Sequence, residues 1–260
     1  DRADPLGQYL HANFKISASG ETLYLTAPSQ SYADSLATGE LAVDISIGRT
    51  PDGGPVWVLF DDPTPSASNS TAGFEGYAGT VTASQTGGFY TNTGSLSLTV
   101  DPAGQEIRYT LDGSEPDASS TLYAGPISLT QTTVVRARAV KTGYFPGTVL
   151  TQTYFINEST TLPVVSLSTD PANFYNYNTG IYVKGAGAAF GGYPGYPVSP
   201  KANYNADWEK PVHIEFYEAN GSQEFSLDAG IKISGKTTRN LPQKALAIHF
   251  RSEYGASSLN

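Results

Sequence analysis

What most constrains the fold is the period of the apolar residues: no long run carries them at helical spacing, and two-residue alternation recurs instead. Alternation over four to eight residues is the pattern of a strand with one buried face. It is clear in TVVRARAV, where Val135, Ala137 and Ala139 oppose Arg136, Arg138 and Val140. It is clear again in 228–251, where Ile231 and Ile233 oppose Lys232 and Ser234 until Gly235 breaks the run. A polar connection with Lys236, Thr237, Thr238, Arg239 and Pro242 follows, and then Ala245, Ala247 and His249 oppose Leu246, Ile248 and Phe250. The spacing predicts strand, glycine-initiated loop, strand. Lys244 at the head of the second strand can lay its stem along the sheet and put its ammonium beneath the loop, where a phosphate also meets backbone N–H groups. The same spacing also suits an ordinary surface hairpin with one exposed lysine, because short glycine-lysine patterns are common.

A chain of 260 residues exceeds one typical domain. Tyr, Thr, Ser and Gly abound while Pro and Gly are spread evenly, which predicts a β-rich chain. The net charge of −9, with no Lys/Arg cluster, argues against a nucleic-acid partner. With no Cys there are no disulfides, thiolate metal sites or cysteine nucleophiles, and the compartment stays open. With no Met at all, the expectation is a processed or excised piece of a longer protein. No apolar run reaches membrane-spanning length, so no membrane insertion is expected.

Strands are expected over 9–16, 21–26, 41–47 and 56–60, and PTPSASN at 63–69 reads as a linker. The sequence HANFKISASGETLYL, the turn Ser46-Ile47-Gly48-Arg49 with Pro51-Asp52-Gly53, and Pro63-Thr64-Pro65-Ser66 resemble the C-terminal half of a lamin-tail domain. The resemblance implies an immunoglobulin-like sandwich lacking its first strands, with an open edge that another segment must pair.

The second segment predicts a small β-sandwich, with Leu96, Leu98 and Val100 alternating ahead of strands over 107–111, 127–129 and 133–140. YTLDGSEPDASSTLYAGPISL followed by TVVRARAVKTGYFPG resembles the immunoglobulin-like module at the C-terminus of chitobiases and hexosaminidases, an accessory unit in that family. Asp112, Ser114 and Asp117 invite a calcium reading, but Asp-Gly-Ser is also a good turn and the spacing is not that of an EF-hand, so no metal is expected. Tyr144 with Phe145 is the adjacent aromatic pair near a turn that could offer a glycan platform.

In the third segment, Asp170 before Pro171 predicts a short helix, and 180–184 a short strand. The stretch 185–205 is a loop rich in Gly, Pro and Tyr, and strands at 212–217 and 223–227 lead through an Asn220-Gly221 turn into 228–251. The expected result is an antiparallel meander of about four strands. VSLSTDPANFYNYNTGIYVKG, Asp207-Trp208-Glu209-Lys210-Pro211, VHIEFYEANG, DAGIKISG, Arg239 with Pro242-Gln243-Lys244, and Arg251-Ser252-Glu253-Tyr254-Gly255-Ala256 together resemble the N-terminal part of the spore-coat protein H (CotH) kinase family.

That resemblance implies Lys244 at the nucleotide α/β-phosphates and Gly235, Thr237 and Arg239 in the loop beside them, with ATP and Mg as cofactors of a full-length parent. Ser234 and Ala245 depart from the family's usual residues. The family's catalytic and magnesium-binding aspartates lie downstream of Asn260, so no catalytic residue, bound metal or activity is expected in this stretch alone. The acidic residues Glu215, Glu218, Glu224, Asp228 and Glu253 read as solvated strand edges. With only His11, His213 and His249 present, a histidine metal triad or a Ser-His-Asp arrangement is not expected.

The fold class read from all of this is mainly β: immunoglobulin-like β-sandwich modules followed by a β-rich partial kinase-like lobe. The expected boundaries are 1–70, 71–157 and 158–260. The expected setting is a secreted or surface-anchored bacterial multidomain protein, partnered by other modules of its own chain and by a glycan or surface protein. Its rival to the kinase reading is a non-catalytic adhesive or carbohydrate-binding protein.

Overall fold

A computed structural model describes residues 14–17, 19–29, 32–65, 67–92, 94–186, 201–255 and 258. The expected strand at 9–16 and most of the loop at 185–205 lie largely outside these residues. The chain divides into two compact units, Asp1–Gly76 and Tyr77–Asn260.

The first unit holds two antiparallel pairs, β1 (Thr22–Thr26) with β2 (Tyr32–Ala37) and β3 (Ser46–Thr50) with β4 (Val56–Phe60). β2 had no signal in the sequence, because Asp34 and Ser35 interrupt any apolar alternation; it is held partly by Arg49, which donates to both Asp34 oxygens at 2.8 Å while lying 4.3 Å over the Trp57 ring. The strand expected at 41–47 begins instead at Ser46, after a turn in which Asp44 takes a positive φ of 61°. The buried core is Val58, Leu59 and Phe60. The segment after β4 folds back onto it: Asn69 Nδ2 donates to the Arg49 carbonyl at 2.8 Å, and Leu59 and Phe74 exchange main-chain hydrogen bonds.

The second unit opens with a β-sandwich. Its larger sheet runs β10 (Thr121–Leu122), β9 (Glu106–Thr110), β12 (Thr133–Val140), β13 (Leu150–Ile156) and β6 (Gly88–Tyr90). Two further pairs complete it, β5 (Thr80–Ala83) with β8 (Leu98–Asp101) and β7 (Gly94–Leu96) with β11 (Ile127–Leu129). The alternation read in β12 is the burial observed, with Val135, Ala137 and Ala139 at 1%, 0% and 0% exposure. They pack with Leu96, Leu98, Ile107 and Tyr154 in one core.

Chain entry and exit are tight: a Cβ on Gly147 would lie 2.2 Å from the Gly79 carbonyl oxygen and 3.1 Å from that of Ala78. Because both obstacles are backbone, Gly147→Ala is expected to destabilise the second unit by about 1–3 kcal/mol, measured by urea unfolding.

After a short connector, β14 (Val164–Ser168), β15 (Lys210–Tyr217), β16 (Gln223–Ser234) and β17 (Ala245–His249) form the expected antiparallel meander, in that order. The helix α1 (Pro171–Tyr175) starts as expected, with Asp170 Oδ1 accepting from the Ala172 amide at 2.8 Å. Residues 180–184 are not a strand. Ile181 and Tyr182 donate main-chain hydrogen bonds back to Asn173 and Phe174, so the segment is a turn stitched onto α1. With Ala202 and Tyr204 this cap covers the apolar sheet face of Val212, Ile214, Ala229, Ile231 and Ile233.

The opposite face carries His213, Glu215, Tyr217, Ser226 and Asp228, and much of it lies against the sandwich. Thr153 Oγ1 meets Ser166 Oγ at 2.7 Å there. No helix among the described residues is long and apolar enough to cross a membrane.

Candidate functional site

The loop between β16 and β17 places the four residues singled out in the sequence. Gly235 has φ +94°, and a Cβ there would lie 2.2 Å from Thr238 Oγ1, so the sharp exit from β16 requires glycine. Thr237 opens a 3-10 turn, Thr237–Asn240, and is exposed. Arg239 is drawn back over this turn, its Nε donating to the Gly235 carbonyl at 2.6 Å and its Nη2 lying 3.8 Å from Asp207, which Lys232 also meets at 3.2 Å.

Lys244, one residue ahead of β17, turns toward the cap. Its Nζ donates to the Leu241 carbonyl at 2.7 Å and stands 4.3 Å over the Tyr204 ring and 5.3 Å from that of Tyr182, while its amide donates to the Tyr182 hydroxyl. Partial burial holds its pKa below the usual lysine value. Gly235 and Arg239 thus share one contact, whereas the Lys244 ammonium is engaged by aromatic faces and a carbonyl.

Two other stretches quoted for the kinase resemblance meet as well. Glu209 accepts from Arg251 Nε at 2.8 Å and Nη2 at 3.1 Å, and this pairing keeps the Glu209 carboxyl below its ordinary range. A Cβ on Gly230 would lie 2.1 Å from Glu209 Oε1, so the glycine makes room for the pair.

The largest departure from the sequence reading is Glu215. It is not a solvated edge: it is 0% exposed, at the junction of sandwich and meander. Its Oε1 accepts from the Thr153 amide at 3.2 Å, the Tyr217 hydroxyl at 2.8 Å and Gln223 Nε2 at 3.2 Å, while Oε2 has no partner. Burial, with the Glu215 charge next in size, pushes the Tyr217 phenol far up. The rings of Phe89 and Phe155 stack at 4.4 Å and both meet Tyr217 edge-on. Alternation in VHIEFY already set His213, Glu215 and Tyr217 on one face, and a second covering layer was what the sequence did not declare.

The same face overturns a second expectation. His213 Nδ1 meets Asp228 Oδ1 at 2.7 Å and its Nε2 meets Ser226 Oγ at 2.9 Å, a Ser-His-Asp chain of hydrogen bonds. Ser226 and Asp228 are two apart on β16 and His213 pairs with Asp228 across β15, so the sheet's pleat alone makes the array. Ser226 sits in a regular ladder opposite Glu215, with its amide in the sheet plane and its hydroxyl perpendicular to it. That amide is therefore not aimed at an oxygen of a group bound at Oγ, and a donor to such an oxygen would have to come from another residue.

Asp112 and Asp117 serve turns. Asp112 Oδ1 accepts from the amide and hydroxyl of Ser114, and Asp117 Oδ1 from those of Ser119 and Ser120; the hydroxyl and amide bonds hold both carboxyls low. The Tyr144–Phe145 platform is occupied: the Lys141 ammonium lies 3.5 Å over the Tyr144 ring and Phe145 stacks on Tyr77 at 5.6 Å. Tyr175 and Tyr177, by contrast, are each 66% exposed beside α1. The loop tyrosines Tyr193, Tyr196 and Tyr204 read in the sequence either as a contact surface or as packing for the loop; Tyr193 and Tyr196 lie outside the described residues, and Tyr204 is buried at 4% exposure.

No curated protein and no solved structure matches the chain. Residues 85–151 match the family model described as the chitobiase/beta-hexosaminidase C-terminal domain, so this mostly β, multidomain chain contains a module of that kind.

Proposed function

We propose that the chain is a non-catalytic recognition region of a secreted or cell-surface protein, in which the chitobiase-type module is a fixed bracket for the meander β14–β17 and the ligand is a glycan. The observation that carries this reading is the pair Tyr175 and Tyr177, exposed to 66% each. The Tyr175 ring is braced by Phe174 at 5.9 Å and Tyr182 at 6.3 Å. A braced, exposed tyrosine ring with a second exposed ring two residues on offers an apolar face with a polar tip, which suits the C–H face of a sugar. The accessory role implied by the chitobiase-type module supports the surface setting.

The second reading is the nucleotide-binding lobe of a CotH-type kinase parent, with Gly235, Thr237, Arg239 and Lys244 facing the phosphates of a Mg-bound ATP. It is favoured by the positive φ of Gly235 and by Lys232 and Arg239 gathering near Asp207. It is disfavoured by the engagement of the Lys244 ammonium with Tyr204, Tyr182 and Leu241, contacts that already occupy it within the chain.

A glycan array probed with the whole chain is expected to give binding that the double substitution Tyr175→Ala, Tyr177→Ala abolishes, while MgATP produces no thermal shift. Array binding untouched by the double substitution sinks the glycan reading. A MgATP-dependent shift lost in Lys244→Ala favours the kinase lobe.

A further inference from the structure

A cleft of about 280 Å³ opens between the chitobiase-type module and the meander, on the side of the molecule's buried junction. Four carboxylates line it: Glu115 from the module, Asp170 at the head of α1, Asp228 from β16 and Glu253 from the turn after β17. Facing them are one guanidinium, Arg136, and one imidazole, His213. The cleft is therefore acidic, although Arg136 offsets part of the charge of Glu115, Asp170 and Asp228. Arg136 donates to Thr151 Oγ1 and to the Gly113 carbonyl, and the guanidinium that meets Glu115 belongs to Arg138, at 3.2 Å. Asp170 is taken up by the amides of Ala172 and Glu115, and one Asp228 oxygen by His213.

A second feature is independent of the carboxylates. Ser168, also in the lining, is only 4% exposed and its Oγ has no hydrogen-bond partner. It shares a strand face with Ser166, whose hydroxyl meets Thr153, so the Ser168 hydroxyl is turned to the module side where the cleft lies. A buried hydroxyl without a partner is costly, and in a lining where four carboxylates face one guanidinium it marks a place for a donor that comes from outside.

We propose that this cleft binds an organic cation: an alkylammonium or guanidinium group, carried either by a basic side chain of a polypeptide or by a free polyamine. The group enters as a hydrogen-bond donor to Ser168 Oγ and Asp228 and as a countercharge to Glu253 and Asp170. Phosphate, sulfate and uronate ligands are repelled by the same charges. The volume is at the small end of ligand sites, roughly 300 Å³ and upward, and suits the terminus of one side chain. The proposal stands on the cleft alone, apart from the glycan reading of the exposed tyrosines.

The test is isothermal titration of the whole 260-residue chain with N-acetyl-arginine amide, with spermidine, and with N-acetyl-citrulline amide as the uncharged control of the same shape. Binding by the arginine derivative alone assigns the group to a polypeptide, binding by spermidine alone to a polyamine, and binding by both to the cationic group itself. Glu253→Gln and Ser168→Ala are each expected to weaken binding roughly three- to tenfold. Ser168→Ala is expected to leave the melting temperature no lower than in the parent chain, because its hydroxyl has no partner to lose. Raising the ionic strength from about 0.05 M to about 0.5 M is expected to weaken binding several-fold. Equal binding of the citrulline derivative, affinities unmoved by both substitutions, or no heat from any of the three probes overturns the proposal.

Discussion

Replacing Glu215 with alanine is expected to lower the unfolding free energy of residues 77–260 by about 3–5 kcal/mol, one of the largest single-residue effects in the chain. The carboxylate is fully buried and its Oε1 is the common acceptor for the Thr153 amide, the Tyr217 hydroxyl and Gln223. Alanine takes that acceptor from the Thr153 amide and the Tyr217 hydroxyl and leaves Gln223 Nε2 with the Tyr217 oxygen alone, in a space that water does not readily fill. Glu215→Gln keeps an oxygen in the same place and removes a buried charge, so it is expected to cost less than half as much.

The two tryptophans make the measurement direct. Trp57 lies in the first unit and Trp208 in the second, so in a Trp57→Phe background guanidinium unfolding followed by fluorescence reports on the second unit. An alanine variant that unfolds at the parent midpoint would mean that the junction contributes nothing to stability.

The second large effect is with pH. Burial pushes the phenols of both Tyr154 and Tyr217 far above the ordinary tyrosine value, and the Glu215 charge adds to each. The unfolded chain releases these protons near pH 10, while the folded chain keeps them. A folded-state pKa raised in this way gives stability that is complete below about pH 10 and is lost as pH rises toward the folded value. Each such tyrosine removes roughly 1.4 kcal/mol per pH unit above that point, so two remove on the order of 5 kcal/mol by pH 12.

Absorbance at 295 nm is expected to show most of the 17 tyrosines ionising smoothly and a last group ionising together with the loss of far-UV circular dichroism. Tyr154→Phe should make that loss shallower by one proton. Complete ionisation with the dichroism intact would exclude the effect.

The elements that sequence displayed well are those whose own side chains set the pattern. β12 and the start of the meander's long strand were legible because burial on one face is written into residues two apart, and α1 because Asp170 and Pro171 make a cap chemically. β2 was not legible, since its place depends on Arg49 reaching Asp34 across the unit. The candidate site divides in the same way. Gly235 as a sharp turn could be read from one residue, but the destination of the Lys244 ammonium depends on Tyr182 and Tyr204, 62 and 40 positions earlier, and no local pattern announces that. Glu215 was misread because its exposure is decided by Thr153 and Phe155 on another layer, and the Ser-His-Asp chain because strand register brings together residues that spacing alone keeps apart.

The aromatic stack of Phe89, Phe155 and Tyr217 bears on how such a module can be moved between proteins. Two of its rings, Phe89 and Phe155, come from the chitobiase-type module and its last strand, and the third from the meander. A recombination cut in the connector after β13 would carry away two phenylalanine faces and an unanswered Thr153 amide, and leave behind a buried carboxylate with its phenol. The inheritable piece is therefore longer than the stretch that resembles the family: lineages that exchange the module alone are expected to replace Phe89 and Phe155 with polar residues, and lineages that retain both phenylalanines to retain the glutamate opposite them.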